Sequence, residues 1–286
     1  MELTSIVGAN SAGLAPSDLT VLGSVALFSG IDSGGQTGLW TTDGTAAGTV
    51  EVTGIGGTGT TGIAPTDLTM FNGEVLFAGT DNASHLGLWV TNGAAAGTQE
   101  LTSIALASST GVDPSDMTVF NNSEVLFNGV DANGLSGLWV TDGTAGGTHE
   151  LFAGGGASNS FGLNPTNMTV YNSEILFSGL DGSGNMGLWV SDGTSTGTHE
   201  LIGVVGADPS GLAPSDLTAY NGEVLFRGFD QSGRPQLWVT NGTVAGTHEL
   251  AGIAGAGTTG GGFDPSGFTV YDGMVLFKVS LTPSLP

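Results

Sequence analysis

Five tryptophans, Trp40, Trp89, Trp139, Trp189 and Trp238, stand 49, 50, 50 and 49 residues apart. This constrains the fold more than any other feature, because a copied segment has to bury its apolar residues against copies of itself. Phe28, Phe77, Phe127, Phe177, Phe226 and Phe277 keep nearly the same step, and so do Pro16, Pro65, Pro114, Pro165, Pro214 and Pro265. The 286 residues hold just under six such steps. A period near 50 that contains several short apolar runs belongs to β-propeller blades rather than helical repeats.

Each copy reads as four strands. The first is typified by HELIGVV at 199–205, and a Gly/Ser-rich loop ending in Pro-Ser-Asp leads to the second, DLTAY at 216–220. Asn221-Gly222 then supplies the positive φ angles of a tight hairpin. The third strand is EVLF at 223–226, a G-x-D-x-x-G loop follows, and the fourth is QLWVT at 236–240. With 52 glycines no helical apolar period survives, since glycine costs a helix about 1 kcal/mol per residue. The first-type strand starts at Glu2, Val50, Gln99, His149, His199 and His248, and the Trp strand occurs five times. That gives 23 strands. The expectation is an all-β chain, a β-propeller of four-stranded antiparallel blades forming one domain over 1–286. Its units span about 2–49, 50–98, 99–148, 149–198 and 199–247, with a partial sixth at 248–286. The runner-up is five blades plus extra seam strands. The incomplete seam is a candidate homodimer contact, because an open strand edge pairs readily.

Composition removes several classes of function. Only 3 Lys+Arg stand against 26 Asp+Glu, a formal net charge of −23, which leaves nothing to neutralise phosphates or anionic membranes. Without cysteine there are no disulfides and no thiolate metal sites. No apolar run approaches the ~20 residues of a membrane span, and MELTSIVGAN lacks the regions of a signal peptide. The apolar 39%, grouped in short runs, is enough to fold.

The motif Leu-Trp-x-Thr-Asp-Gly-Thr-x-x-Gly-Thr stands at 39–49, 138–148 and 188–198 (with Ser191 for Thr), and at 88–98 and 237–247 with Asn for Asp (the former also with Ala94 for Thr). It resembles the bacterial ELWxxDGT-type repeat, although Gly or Gln precedes the Leu here. The resemblance covers nearly the whole chain and implies a propeller-like fold and a secreted or cell-surface location. In organisation the chain is also similar to propeller lectins, whose blades each carry a sugar site.

Three repeated positions are candidate carbohydrate-binding residues. Trp40, Trp89, Trp139, Trp189 and Trp238 either fill the space between blades or offer a ring face to sugar C–H groups. Asp32, Asp81, Asp131, Asp181 and Asp230 of the G-x-D loop either form turns or contribute to a calcium loop, each supplying one certain carboxylate. Asp18, Asp67, Asp116, Asn167 and Asp216 fix the entry to a strand. The Asp-Gly-Thr turns read as structural, and the Asp/Asn exchange argues against a strict metal site. His149, His199 and His248 share one repeat position, each followed by Glu, and stand too far apart to share a metal. The G-x-D loops and the long inter-unit loops share one face of the meander, so a ligand is placed there, between neighbouring blades.

The expected function is a multivalent lectin for glycans or glycoconjugates, with no cofactor and no catalysis. Fungal-type fucose lectins use an Arg in each site, and here Arg227 and Arg234 both fall in unit five, so that mechanism cannot serve every blade. The alternative is an adhesion module that binds protein, with calcium-stabilised loops. No nucleophile motif, phosphate loop or HExxH sequence points to an enzyme.

Overall fold

The computed structural model describes residues 3–151, 162–253 and 262–280. Five four-stranded antiparallel sheets follow one another along the chain, and a sixth has two strands. The first sheet runs Ser17–Leu22, Val25–Ile31, Thr37–Thr42, Val50–Glu51, each strand beside the next. The other sheets begin at Thr66, Ser115, Thr166, Ser215 and Pro265. The sixth consists of Pro265–Tyr271 and Met274–Val279. The all-β expectation with blade-like repeats holds. One 3-10 turn at Ala95–Gly97 is the helical content among the described residues, and no helix is long and apolar enough to cross a membrane.

The sheet boundaries differ from those expected. Val50-Glu51 and its copies are the short last strand of the preceding sheet, Trp40 facing Glu51 and Thr41 facing Val50. They do not open the next sheet. The apolar residues beyond them belong to loops: Ile55 and Ile63 are buried as anchors between strands. No strand forms over residues 3–7, and Glu2 lies outside the described residues. Twenty-two strands are described instead of 23.

The chain divides into two compact units, Met1–Gly134 with Trp139–Glu150, and Leu135–Leu138 with Leu151–Pro286. Within each, successive sheets pack face to face, and strand alternation explains how. In the second sheet Leu88 and Val90 point forward and pack with Val125, Phe127 and Trp139 of the third. Trp89, Phe77 and Val75 point backward onto Leu27 and Leu39 of the first. The second unit repeats the joint, with Leu176, Leu188 and Val190 against Val224, Phe226 and Trp238. All five tryptophans are fully buried. Each faces the phenylalanine of its neighbouring strand, with ring centroids 6.2–6.4 Å apart. Four of them, Trp40, Trp89, Trp189 and Trp238, donate Nε1–H to the carbonyl oxygen of Gly30, Gly79, Gly179 and Gly228, at 2.9–3.1 Å.

The Asp-Gly-Thr turns are closed cages. Asp192 Oδ1 accepts from the backbone N–H and the hydroxyl of Thr194 (2.9 and 2.6 Å), and Thr194 Oγ1 accepts from Gly197 N–H. Thr198 donates back to the Thr194 carbonyl, and its hydroxyl meets that of Ser191 at 2.7 Å. The motif is thereby accounted for as a turn, in line with its structural reading.

Candidate functional site

The G-x-D aspartates are turn-formers first. The backbone N–H groups of Ala83 and His85 donate to Asp81 Oδ1, both at 2.8 Å, and those of Ser183 and Asn185 donate to Asp181 Oδ1 at 2.8 and 2.7 Å. The second carboxylate oxygen is left for other partners. In one loop His85 Nδ1 lies 3.5 Å from Asp81 Oδ2, and in the other Asn185 Nδ2 donates to Asp181 Oδ2 at 3.2 Å.

Each of these aspartates meets a glutamate that the sequence reading passed over. Glu51, Glu100, Glu150, Glu200 and Glu249 sit on the short last strands, opposite the Trp row. Glu100 lies across Gly87, where a Cβ would come 2.2 Å from its Oε1, and Glu200 lies across Gly187 in the same way at 2.1 Å. A side chain at either glycine would displace the glutamate. The available signal was that Glu follows the variable Val/Gln/His position in all five complete copies.

The pair opens into a cavity that recurs one hundred residues apart. One, of about 360 Å³, is lined by Asp81, His85, Glu100, Ser103, Ser108 and neighbouring backbone. The other, of about 310 Å³, is lined by Asp181, Asn185, Glu200, Gly203, Asp208 and the equivalent backbone. Each is roofed by the inter-unit loop, which is bonded to two sheets. Asp113 N–H donates to the Leu86 carbonyl behind it (2.9 Å), and Ser108 N–H donates to that of Val130 ahead (3.0 Å). Ala213 and Asp208 repeat this with Met186 and Phe229. Cavities of this size accept small ligands.

The two carboxyl groups titrate apart. Burial, then the charge of Asp181, raises the pKa of Glu200 above the ordinary carboxyl value; burial and Asp81 do the same to Glu100, partly offset by His85. Asp81 is lowered, chiefly by the backbone N–H of His85. Burial works against the charge of Asp181, but the N–H groups of Asn185 and Ser183 outweigh it and hold its pKa down. The strongest case is Glu150, raised by burial and then by Asp131 to about 7. At Asp81/Glu100 and Asp181/Glu200 the pair sets a carboxylate held ionised by backbone N–H groups beside a carboxyl group that holds its proton to higher pH than usual.

In the fifth sheet the arrangement is plugged. Gln236 replaces the glycine, donates from Nε2 to Asp230 Oδ2 (3.3 Å) and accepts Phe263 N–H on Oε1 (3.1 Å).

The other candidate residues lie elsewhere. The tryptophans, with both ring faces covered, offer no surface to a sugar, which corrects the ring-stacking expectation for Trp40, Trp89, Trp139, Trp189 and Trp238. Asp18, Asp67, Asp116, Asn167 and Asp216 adopt φ of 50 to 59° at a bulge in each first strand, where Gly267 stands in the sixth sheet. Asp and Asn tolerate this left-handed region better than other side chains. Their side chains reach the next first strand: Asp67 Oδ2 accepts Met117 N–H at 2.8 Å, and Asp216 Oδ2 accepts Gly267 N–H at 3.1 Å. Burial, with Asp116 and Asp18 nearby, raises the pKa of Asp67 despite that bond. Asp67, Asn167 and Asp216 act as staples between sheets, Asn167 Oδ1 accepting Asp216 N–H at 3.4 Å. Asp32, Asp81, Asp131, Asp181 and Asp230 are the members that join a carboxylate pair. Among the described residues no three His, Asp or Glu gather as a metal-holding group.

No family model and no curated protein sequence matches the chain. Solved structures do match by fold. One is a puromycin hydrolase, at a TM-score of 0.53 and 13% identity over 96% of this chain and 43% of the other. Another is a puromycin-hydrolyzing peptidase of Mycobacterium tuberculosis, at 0.51 and 11% over 85% and 38%. This chain therefore spans less than half the length of either, and at such identity the likeness concerns the fold. It nevertheless overturns the expectation of a non-enzyme. Sheet arrays of this kind occur within hydrolytic enzymes, so the lack of a nucleophile motif is no ground for excluding turnover.

Proposed function

We propose that the chain is a multivalent carbohydrate-binding protein, a six-bladed propeller of the ELWxxDGT-repeat kind with a two-stranded sixth blade. Its sugar sites are the Glu/Asp cavities beneath the inter-unit loops. The observation that carries this reading is the recurrence of one cavity, with the same carboxyl pair, at Asp81/Glu100 and Asp181/Glu200. Sugar hydroxyls both donate and accept, and they suit a cavity made of two carboxyl groups, one with its pKa lowered and one with it raised, together with backbone and, in the first cavity, the hydroxyls of Ser103 and Ser108. With three basic residues against 26 acidic ones, anionic ligands are disfavoured and neutral glycans are the natural class. Recognition runs through carboxylates rather than tryptophan faces. Weak sites on one scaffold gain strength by engaging a surface together.

A glycan array tests this. Neutral oligosaccharides should be retained by the wild-type chain and lost in the double variant Glu100→Gln/Glu200→Gln. A flat array at high protein concentration would remove the proposal.

A further inference from the structure

The side chain that plugs the fifth sheet carries a chemical group of its own. Gln236 takes the repeat position of Gly87 and Gly187, and its carboxamide is held at both ends. Nε2 donates to Asp230 Oδ2 at 3.3 Å, while Oε1 accepts the backbone N–H of Phe263 at 3.1 Å. That N–H is shared with the Pro235 carbonyl at 2.9 Å. One amide thus bridges a loop carboxylate and a main-chain donor.

The same grip recurs in the two open cavities, without the plug. Asp81 and Asp181 stand in the place of Asp230, and each spends Oδ1 on backbone N–H groups of its own loop. Oδ2 keeps a lone pair beyond the one turned to His85 or Asn185. Val112 and Leu212 stand in the place of Phe263, and they line the cavities together with the aspartate and the glycine. They are 2% and 5% exposed, and neither N–H makes a hydrogen bond among the described residues. Their carbonyls, by contrast, accept from Val130 and Phe229. A main-chain donor so placed costs stability until it meets an acceptor.

We infer that the open cavities select sugars bearing an acetamido group, which rests on the carbohydrate reading given above. The acetamido N–H donates to Oδ2 of Asp81 or Asp181, and its carbonyl oxygen accepts from the N–H of Val112 or Leu212. Glu100 or Glu200 is left for a ring hydroxyl. A hydroxyl in the same place offers one oxygen to two partners, whereas the amide offers a separate donor and acceptor. The amide is also neutral, so it meets no repulsion from the acidic chain. At about 360 and 310 Å³ the cavities have room for a single sugar residue.

Calorimetric titration of the full wild-type chain with matched methyl glycosides tests this. The probes are the N-acetylglucosaminide, the N-acetylgalactosaminide, the parent glucoside and galactoside, and the deacetylated glucosaminide. At least one acetamido glycoside should bind about tenfold more tightly than its parent hexoside and than the free amine. Parent hexosides that bind as tightly would overturn the inference and leave a carbohydrate-binding protein standing. Tighter binding of the glucosaminide would also overturn it, since the carboxyl pair would then be holding a cation. Silence of every glycoside would overturn it too, and the array then decides separately whether glycans are bound. The variant Gly87→Gln/Gly187→Gln carries the plug into both cavities, so acetamido binding should vanish with circular dichroism unchanged. Binding retained by that folded variant would contradict the inference, and the wild-type glycoside series decides it where the variant does not fold.

Discussion

Gly197 stands where any side chain would overlap Asp192: a Cβ there would lie 1.9 Å from the carboxylate Oδ1. The later glycine of each motif, Gly48, Gly97, Gly147, Gly197 or Gly246, is therefore required by a close approach, and in this copy the carboxylate is held by Thr194. Gly197→Ala should destabilise the chain by about 1–3 kcal/mol in urea unfolding. Combined with Asp192→Ala, which removes the obstacle, it should cost less than the two single changes added together. Strict additivity would show that the overlap is not the cause.

Trp139 differs from its four copies. Its Nε1–H is buried without an acceptor among the described residues, whereas Trp189 donates to Gly179 at 3.0 Å. Trp189→Phe removes a donor and leaves a buried carbonyl unsatisfied, while Trp139→Phe removes a group that was unsatisfied already. The first should cost about 1 kcal/mol more than the second. Equal losses would contradict the distinction.

The raised glutamates set a pH dependence of definite sign. Glu150 has an ordinary value of 4.5 and a folded value of about 7. Below 4.5 both states are protonated and nothing is lost; between the two values the unfolded chain releases its proton first, so stability falls; above about 7 the loss is complete. Glu150→Gln should leave the melting temperature at pH 4 almost unchanged and raise it at pH 8. The lowered aspartates act in the opposite direction. The turn hydrogen bonds to Asp43, from Thr45 first, contribute stability that is lost as pH falls below the ordinary carboxylate range. A melting profile for Glu150→Gln parallel to the wild type across pH 4–8 would contradict the sign.

The repeat, the strand alternation and the burial on both faces were legible because a period of 49–50 and the Leu-Trp-Val pattern leave few ways to hide the apolar residues. The strand phase was not legible. Ile55, Ile63 and their copies are loop anchors, and an apolar run alone does not say whether it pairs in a ladder or plugs a joint. The candidate site was half legible. The turn aspartates were found, but Glu100 lies 19 residues from Asp81 in sequence, and its position depends on the space left by Gly87. Tryptophan's reputation as a sugar platform pointed away from its role here, where all five rings are fully buried.

Calcium should not stabilise the loops. Asp81 Oδ1 and Asp181 Oδ1 already accept two backbone N–H groups each, so donors rather than carbonyl oxygens surround the carboxylate. EDTA should leave the melting temperature where it is, and an increase on adding millimolar calcium would refute this reading of the turn.

Calorimetric titration with the neutral oligosaccharide that the array retains most strongly bears directly on the carboxyl-pair cavities. Two or more equivalent sites are expected for the wild type, with the heat abolished in Glu100→Gln/Glu200→Gln and little changed in Glu249→Gln, whose cavity Gln236 already fills. A single site, or binding that survives the double variant, would contradict it.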